Sequence, residues 1–205
     1  MKTRTKVLGL MMAAVLLVSA TIFGTMAYLT DTKSVTNTFT VGKVAITLDE
    51  AKVNEMGKPV NNDGAEVGLN EAPRVSENTY KLMPGHTYVK DPTIKVASGS
   101  EDCWLFVKVE NELGNNIEGT STIADQLEAK GWKLIDGTSN IYGRDSTNAA
   151  GSSEVVFDNF TISGEVNNAA LAGYAGKTVK VTAYAVQADG FTTASAAWNA
   201  TFGNN

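Results

Sequence analysis

The stretch Cys103-Trp104-Leu105-Phe106-Val107-Lys108-Val109 is the clearest strand signal in this sequence. Its residues are mostly apolar, aromatic or β-branched, and every second residue falls on one face at the period of a strand. Similar short segments recur between glycine-rich turns. Strands are predicted at residues 35–48, 88–96, 103–110, 132–135, 140–142, 154–162 and 178–187. The sequence therefore predicts a mostly β fold, an antiparallel β-sandwich with one or two short inserted helices.

The main helix signal lies between two of these strands. Thr122 can cap the first turn, and Asp125 three residues later can complete a capping box with it. Gly131 can end the helix. Alanine-rich stretches at 167–174 and 193–202 are two further candidates for short helices.

The first predicted strand contains a change of phase. Phe39 and Val41 are apolar in odd register, whereas the residues from Val44 to Leu48 are apolar in even register. A bulge or bend at Gly42 would let both sets face one core.

Residues 49–80 are polar, rich in glycine and proline, and show little periodicity. They are predicted to form a long surface loop with one short strand. Within it, Asn61-Asn62-Asp63-Gly64 indicates a turn, and a calcium site there is the alternative interpretation.

The chain begins with three basic residues, Lys2, Arg4 and Lys6, followed by an apolar run over residues 7–22. This arrangement is typical of a secretory signal peptide, and the small residues after it predict cleavage between Ala27 and Tyr28. The run is short for a transmembrane helix, so no permanent membrane span is expected after processing. A retained N-terminal anchor is the competing interpretation.

Three parts of the chain follow from this: a signal peptide (1–27), an N-terminal segment (28–43) and a β domain (44–205). Because processing removes three basic residues and no acid, the formal net charge moves from −5 to −8. An acidic domain repels nucleic acid and anionic lipid, so neither is an expected partner. The expected location is outside the cell.

Few side chains suit catalysis or metal binding. The chain has one histidine, His86, and one cysteine, Cys103, and it carries no zinc, nucleotide or serine-hydrolase motif. A nucleophilic pair of these two residues would require Cys103 to leave the core face of its strand. The adjacent acids Asp49-Glu50 are interpreted as solvated surface charge. No enzyme activity, metal or cofactor is expected.

A more specific pattern lies near the predicted cleavage site. Small residues end at Ala27, an aromatic residue and an aspartate follow, and Asn37-Thr38-Phe39-Thr40-Val41-Gly42 then leads into the alternating strand that ends at Leu48. This pattern resembles the TasA/camelysin family of Gram-positive bacteria. Leu82-Met83-Pro84-Gly85 is similar to a turn of that family, and residues 179–187 are similar to its closing strand.

The resemblance implies export, removal of the leader by a SipW-type signal peptidase, and a jelly-roll-like β-sandwich. It also implies self-association into biofilm matrix or surface fibres, in which the N-terminal segment of one subunit adds as a strand to the next. The residues that would contribute to polymerisation are Tyr28, Leu29, Val35, Phe39 and Val41. An ordinary first strand within its own domain is the alternative for this segment.

Three functional hypotheses follow. The first is a secreted structural protein that assembles by N-terminal donor-strand addition. The second is a monomeric cell-surface module that binds carbohydrate or a host protein, which exposure of Trp104, Trp132 or Trp198 would favour. The third is a secreted metallopeptidase of camelysin type, for which the sequence offers no ligand cluster.

Overall fold

The computed structural model describes residues 30–34 as backbone and residues 44–114, 118–119 and 121–203 in full. The strands in these residues are β1 (Thr30–Ser34), β2 (Ile46–Ala51), β3 (Arg74–Val75), β4 (Thr87–Val89), β5 (Thr93–Val96), β6 (Cys103–Asn111), β7 (Trp132–Leu134), β8 (Ile141–Arg144), β9 (Ser153–Val155), β10 (Asn159–Thr161) and β11 (Val179–Gln187). The helices are α1 (Ile123–Ala129), α2 (Asn168–Leu171) and α3 (Ala194–Phe202), with short 3₁₀ turns at Leu69–Glu71 and Ala172–Tyr174.

The largest sheet is built around β6. Its five strands lie in the order β1-β11-β6-β8-β7, and all of its pairings are antiparallel. β6 is apolar on both faces because both faces are covered. Leu105 and Val107 point into the main core, whereas Trp104 and Phe106 point into a second core beneath α3. The predicted strand at 103–110 is confirmed.

A four-stranded sheet in the order β3-β2-β5-β9 and a two-stranded ribbon of β10 and β4 complete the β structure. The main core joins these sheets to the five-stranded sheet, because Ile46 of β2 and Ile94 of β5 belong to the same buried cluster as Leu105. The predicted mostly β fold with antiparallel sheets is confirmed, with three short helices in the described residues.

Two predicted strands are each divided in two. The segment 88–96 forms β4 and β5 and crosses from the ribbon to the four-stranded sheet. The segment 154–162 forms β9 and β10 and crosses in the opposite direction. The break in the first lies at Asp91-Pro92. Pro92 has no N–H to donate to a ladder, and the Asp91 carboxylate accepts the Ala51 N–H instead of leaving it to a strand partner.

The helices begin as the sequence predicts. Thr122 caps α1, where its side chain accepts the Asp125 N–H while Asp125 accepts the Thr122 N–H. Thr193 caps α3 by accepting the Ala196 N–H, and Trp198 then packs 5.2 Å from Phe106 between ring centroids. No helix in the described part of the chain has the length and apolar character needed to cross a membrane.

The segment 49–80 is more ordered than a loop. Its first residues complete β2, and the short strand predicted within it is β3, which pairs with β2. Isolated bridges join Val53 to Pro59 and Val60 to Glu66. The predicted turn at 61–64 is confirmed, since the Asn61 side chain accepts two backbone N–H groups and Gly64 has a φ of 85°. The predicted bulge at Gly42 lies outside the described residues.

Candidate functional site

The first candidate site is the edge of the five-stranded sheet at β11. Five residues of β1 lie antiparallel to this strand, from Thr30 opposite Val186 to Ser34 opposite Thr182. On its other side β11 pairs with β6 over its whole length. β11 is therefore an interior strand whose second neighbour comes from the N-terminal segment.

The sequence of β11 suits an interior position. Val181, Ala183 and Ala185 face the main core, and Val186 faces the second core. Without β1, the backbone N–H and C=O groups along one side of this apolar strand would lack partners. An exposed apolar edge of that kind readily pairs with another strand.

Six residues were predicted to be cleavage or polymerisation sites. All of them lie outside the described residues: Ala27, Tyr28, Leu29, Val35, Phe39 and Val41. The strand Thr30–Ser34 falls inside the predicted N-terminal segment, where it pairs with the sheet of its own chain. A strand from another copy could occupy the same edge only in place of β1.

The second candidate site is a groove of about 1070 Å³ between β2, the segment 76–82 and the beginning of β11. Leu48, Leu171 and Val179 contribute apolar walls, whereas Lys177 and Lys180 contribute positive charge. Glu50, Asn78 and Lys90 also line the groove.

These three polar side chains are joined through one carboxylate. The Lys90 Nζ lies 2.7 Å from Glu50 Oε2, and the Asn78 Nδ2 donates to Glu50 Oε1 at 2.9 Å. The side chain of Glu50 is 6 % exposed and that of Lys90 is 11 % exposed. The interpretation of Glu50 as solvated surface charge is therefore wrong, because this carboxylate is buried in an ion pair.

Tyr80 closes one side of this cluster. Its hydroxyl donates to the Val89 carbonyl at 3.1 Å, and its ring packs edge-on against Tyr88 and Phe160. Burial raises the pKa of the Tyr80 phenol, and the nearby charge of Glu50 raises it further. The cluster thus lies in a poorly solvated environment.

The two residues considered as a nucleophilic pair have separate surroundings. The His86 Nε2 lies 2.9 Å from the Met56 carbonyl oxygen, and its ring packs edge-on against Tyr88. Cys103 is buried in the main core at the start of β6. Across the fully described ranges, no three His, Cys, Asp or Glu side chains are grouped so that they could hold a metal ion.

We expect the Cys103 thiol to react slowly with a disulfide reagent in the folded protein. The thiol is fully buried, and burial raises its pKa to about 12. Its labelling at pH 8 should be more than about 100-fold slower than in guanidinium chloride, because the thiolate is the reactive form. Comparable rates in the two conditions would contradict the burial of this residue.

The three tryptophans form no exposed platform. Trp104, Trp132 and Trp198 are 5 %, 1 % and 8 % exposed, respectively. Trp132 belongs to the main core and the other two to the core beneath α3. Their burial counts against a sugar-binding surface made from these residues.

Comparisons with known proteins found no relative of this chain. No family model, no curated protein and no solved structure matches the chain. The TasA/camelysin resemblance therefore rests on the sequence motifs alone.

The cluster of Glu50, Asn78 and Lys90 was missed by the sequence reasoning. One signal could have indicated part of it, since Glu50 continues the even register that begins with Val44 and faces the core. Nothing in the sequence pattern brings Asn78 or Lys90 to the same place.

Proposed function

We propose that this protein is a secreted structural subunit of an extracellular matrix or surface fibre. In this proposal the leader is removed by a SipW-type peptidase, and the N-terminal segment of one copy adds as a strand to the next copy. The observation that carries it is the pairing of Thr30–Ser34 with the edge of β11. A subunit that withdrew this strand would offer an apolar, antiparallel edge to a second copy.

The geometry of such an exchange favours open growth. Each chain has one N-terminal segment to donate and one β11 edge to accept it. A head-to-tail contact of this kind produces filaments unless the rotation between subunits closes a ring. The motif around Phe39, which resembles the TasA/camelysin family, supports the same proposal. So does the predicted leader, because its removal would create a new N-terminus at Tyr28.

A cysteine pair can distinguish exchange between copies from pairing within one chain. Ser34 and Thr182 are opposite each other across β1 and β11, and both are close to cysteine in size. Oxidation of processed protein that carries Ser34→Cys and Thr182→Cys should give a ladder of covalent oligomers. The native Cys103 is buried and should not interfere.

The oxidation products distinguish strand exchange between copies from strand pairing within one chain. A covalent monomer as the only product at every protein concentration would contradict strand exchange. A matched variant with Ser34→Cys and Thr147→Cys, which places the second thiol on an exposed loop after β8, should give no ladder.

Deletion of residues 28–38 tests the same segment by another route. It should abolish fibres in electron micrographs, and equal assembly by the deleted chain would refute the role of this segment.

A further inference from the structure

The groove contains three side chains whose arrangement suits the formation of a covalent bond between two of them. We propose that Lys90 and Asn78 form an intramolecular isopeptide bond, with Glu50 as the general acid–base. The Glu50 carboxylate contacts the Lys90 amine through one oxygen and the Asn78 amide nitrogen through the other. The nucleophile and the leaving group are therefore held on one proton-transferring group.

The Asn78 amide is oriented and polarised for attack. The Val53 N–H donates to its Oδ1 at 2.9 Å, and its Nδ2 donates to the Ala51 carbonyl at 2.9 Å as well as to Glu50. The hydrogen bond to Oδ1 stabilises the negative charge that develops there when an amine adds to the carbonyl carbon. These hydrogen bonds lie near the plane of the amide, so they do not themselves cover the two faces of that carbon.

The reaction balances without any further reagent. The Glu50 carboxylate takes a proton from the Lys90 ammonium, and the neutral amine adds to Asn78 Cγ. Glu50 then protonates Nδ2, and the Cγ–Nδ2 bond breaks to release ammonia while the Nζ–Cγ bond remains. The regenerated Glu50 carboxylate removes the second proton from Nζ and passes it to the ammonia, which departs as ammonium. An ammonium group and a primary amide thus become a secondary amide and an ammonium ion, with no oxidation or reduction.

The surroundings of the cluster restrict the access of water to it. The Lys90 amine lies 5.9 Å from the centre of the Tyr80 ring, and both charged partners are largely withdrawn from water. The same withdrawal protects the carbonyl carbon from hydrolysis.

The bond would fasten the segment before β4 to the strand end at Lys90. It would join two positions that are separated by β4 and the Met83–His86 turn, and it would anchor both beside β2 through Glu50. A covalent loop restricts the unfolded chain, as a disulfide does, in a protein whose single cysteine cannot form one within the chain.

Mass spectrometry tests the proposal on the full, processed protein. The intact mass should be lower than the sequence mass by one ammonia molecule, and digestion should yield a branched peptide that links Lys90 to Asn78. Lys90→Met should restore the sequence mass. Lys95→Met is the matched control, because Lys95 also pairs with a carboxylate, that of Asp49, yet is 45 % exposed. This variant should retain the deficit.

Glu50→Gln separates the chemistry from the fold. It keeps the shape of the side chain but cannot take the lysine proton, so the bond should be lost while β structure persists by circular dichroism. A folded wild-type protein with the full sequence mass would overturn the proposal. So would a deficit that persists in Lys90→Met, because a succinimide at Asn78 loses the same ammonia without any lysine. If a variant fails to fold, the branched peptide of the wild-type protein decides the question.

Discussion

Replacing Arg74 by methionine is expected to lower the free energy of unfolding by about 3–5 kcal/mol, because it leaves a buried carboxylate without its cation. The Arg74 Nη1 donates to Asp91 Oδ2 at 2.5 Å, and its Nε donates to Asp49 Oδ1 at 2.7 Å. The side chain of Asp91 is only 8 % exposed. Burial alone would lower the pKa of Arg74, but hydrogen bonds to both carboxylates outweigh it and the pKa is raised.

The measurement is denaturant unfolding of the wild type and the variant at neutral pH. Lys58→Met is the matched control, because Lys58 forms an ion pair with Glu66 in which both side chains are 57 % exposed. An exposed pair contributes about 0–1 kcal/mol, so this control should unfold close to the wild type. Equal losses in the two variants would show that the Arg74 pair is not buried in solution.

Replacing Gly57 by alanine should also destabilise the protein strongly. Gly57 has a φ of 71°, and a Cβ built on it would lie 2.6 Å from the Tyr88 Cα. The left-handed backbone costs a non-glycine residue about 1–2 kcal/mol. Forcing the two backbone segments apart should add about 1–3 kcal/mol.

Gly64→Ala isolates the first contribution, the cost of the left-handed backbone. Gly64 also has a positive φ, 85°, but a Cβ there would have no atom within 4 Å. We expect it to show the backbone cost alone. In thermal or denaturant unfolding, Gly57→Ala should therefore be much less stable than Gly64→Ala. Similar stabilities of the two variants would mean that the backbone at Gly57 does not pack closely against Tyr88 of β4 in solution. The same contact places the Gly57 carbonyl where it accepts the Val89 N–H at 3.1 Å.

The fold could be predicted largely from local patterns. β6 was evident because its apolar residues are continuous, and α1 was evident because Thr122 and Asp125 form a capping box. The breaks within 88–96 and 154–162 were missed for a tertiary reason. Apolar residues flank both breaks, and each segment changes its pairing partner there. Pro92 is a local sign of the first break, because it has no N–H to donate to a strand partner.

The candidate sites were less accessible to sequence reasoning. The pairing of Thr30–Ser34 with β11 joins segments far apart in the chain, and strand patterns do not specify which edge a strand will join. The cluster at Glu50 depends on a loop residue, Asn78, that replaces a strand partner for Ala51 and Val53. Such a side chain has no periodicity that would reveal it.

The position of β11 in the chain also limits when the five-stranded sheet can finish folding. β6 ends at Asn111, but the strand that covers one of its sides begins only at Val179. A growing chain must therefore carry β6 with one side unpaired while the intervening residues emerge. Pairings between distant segments form slowly, so chaperones that retain the chain during this delay should strongly affect its yield.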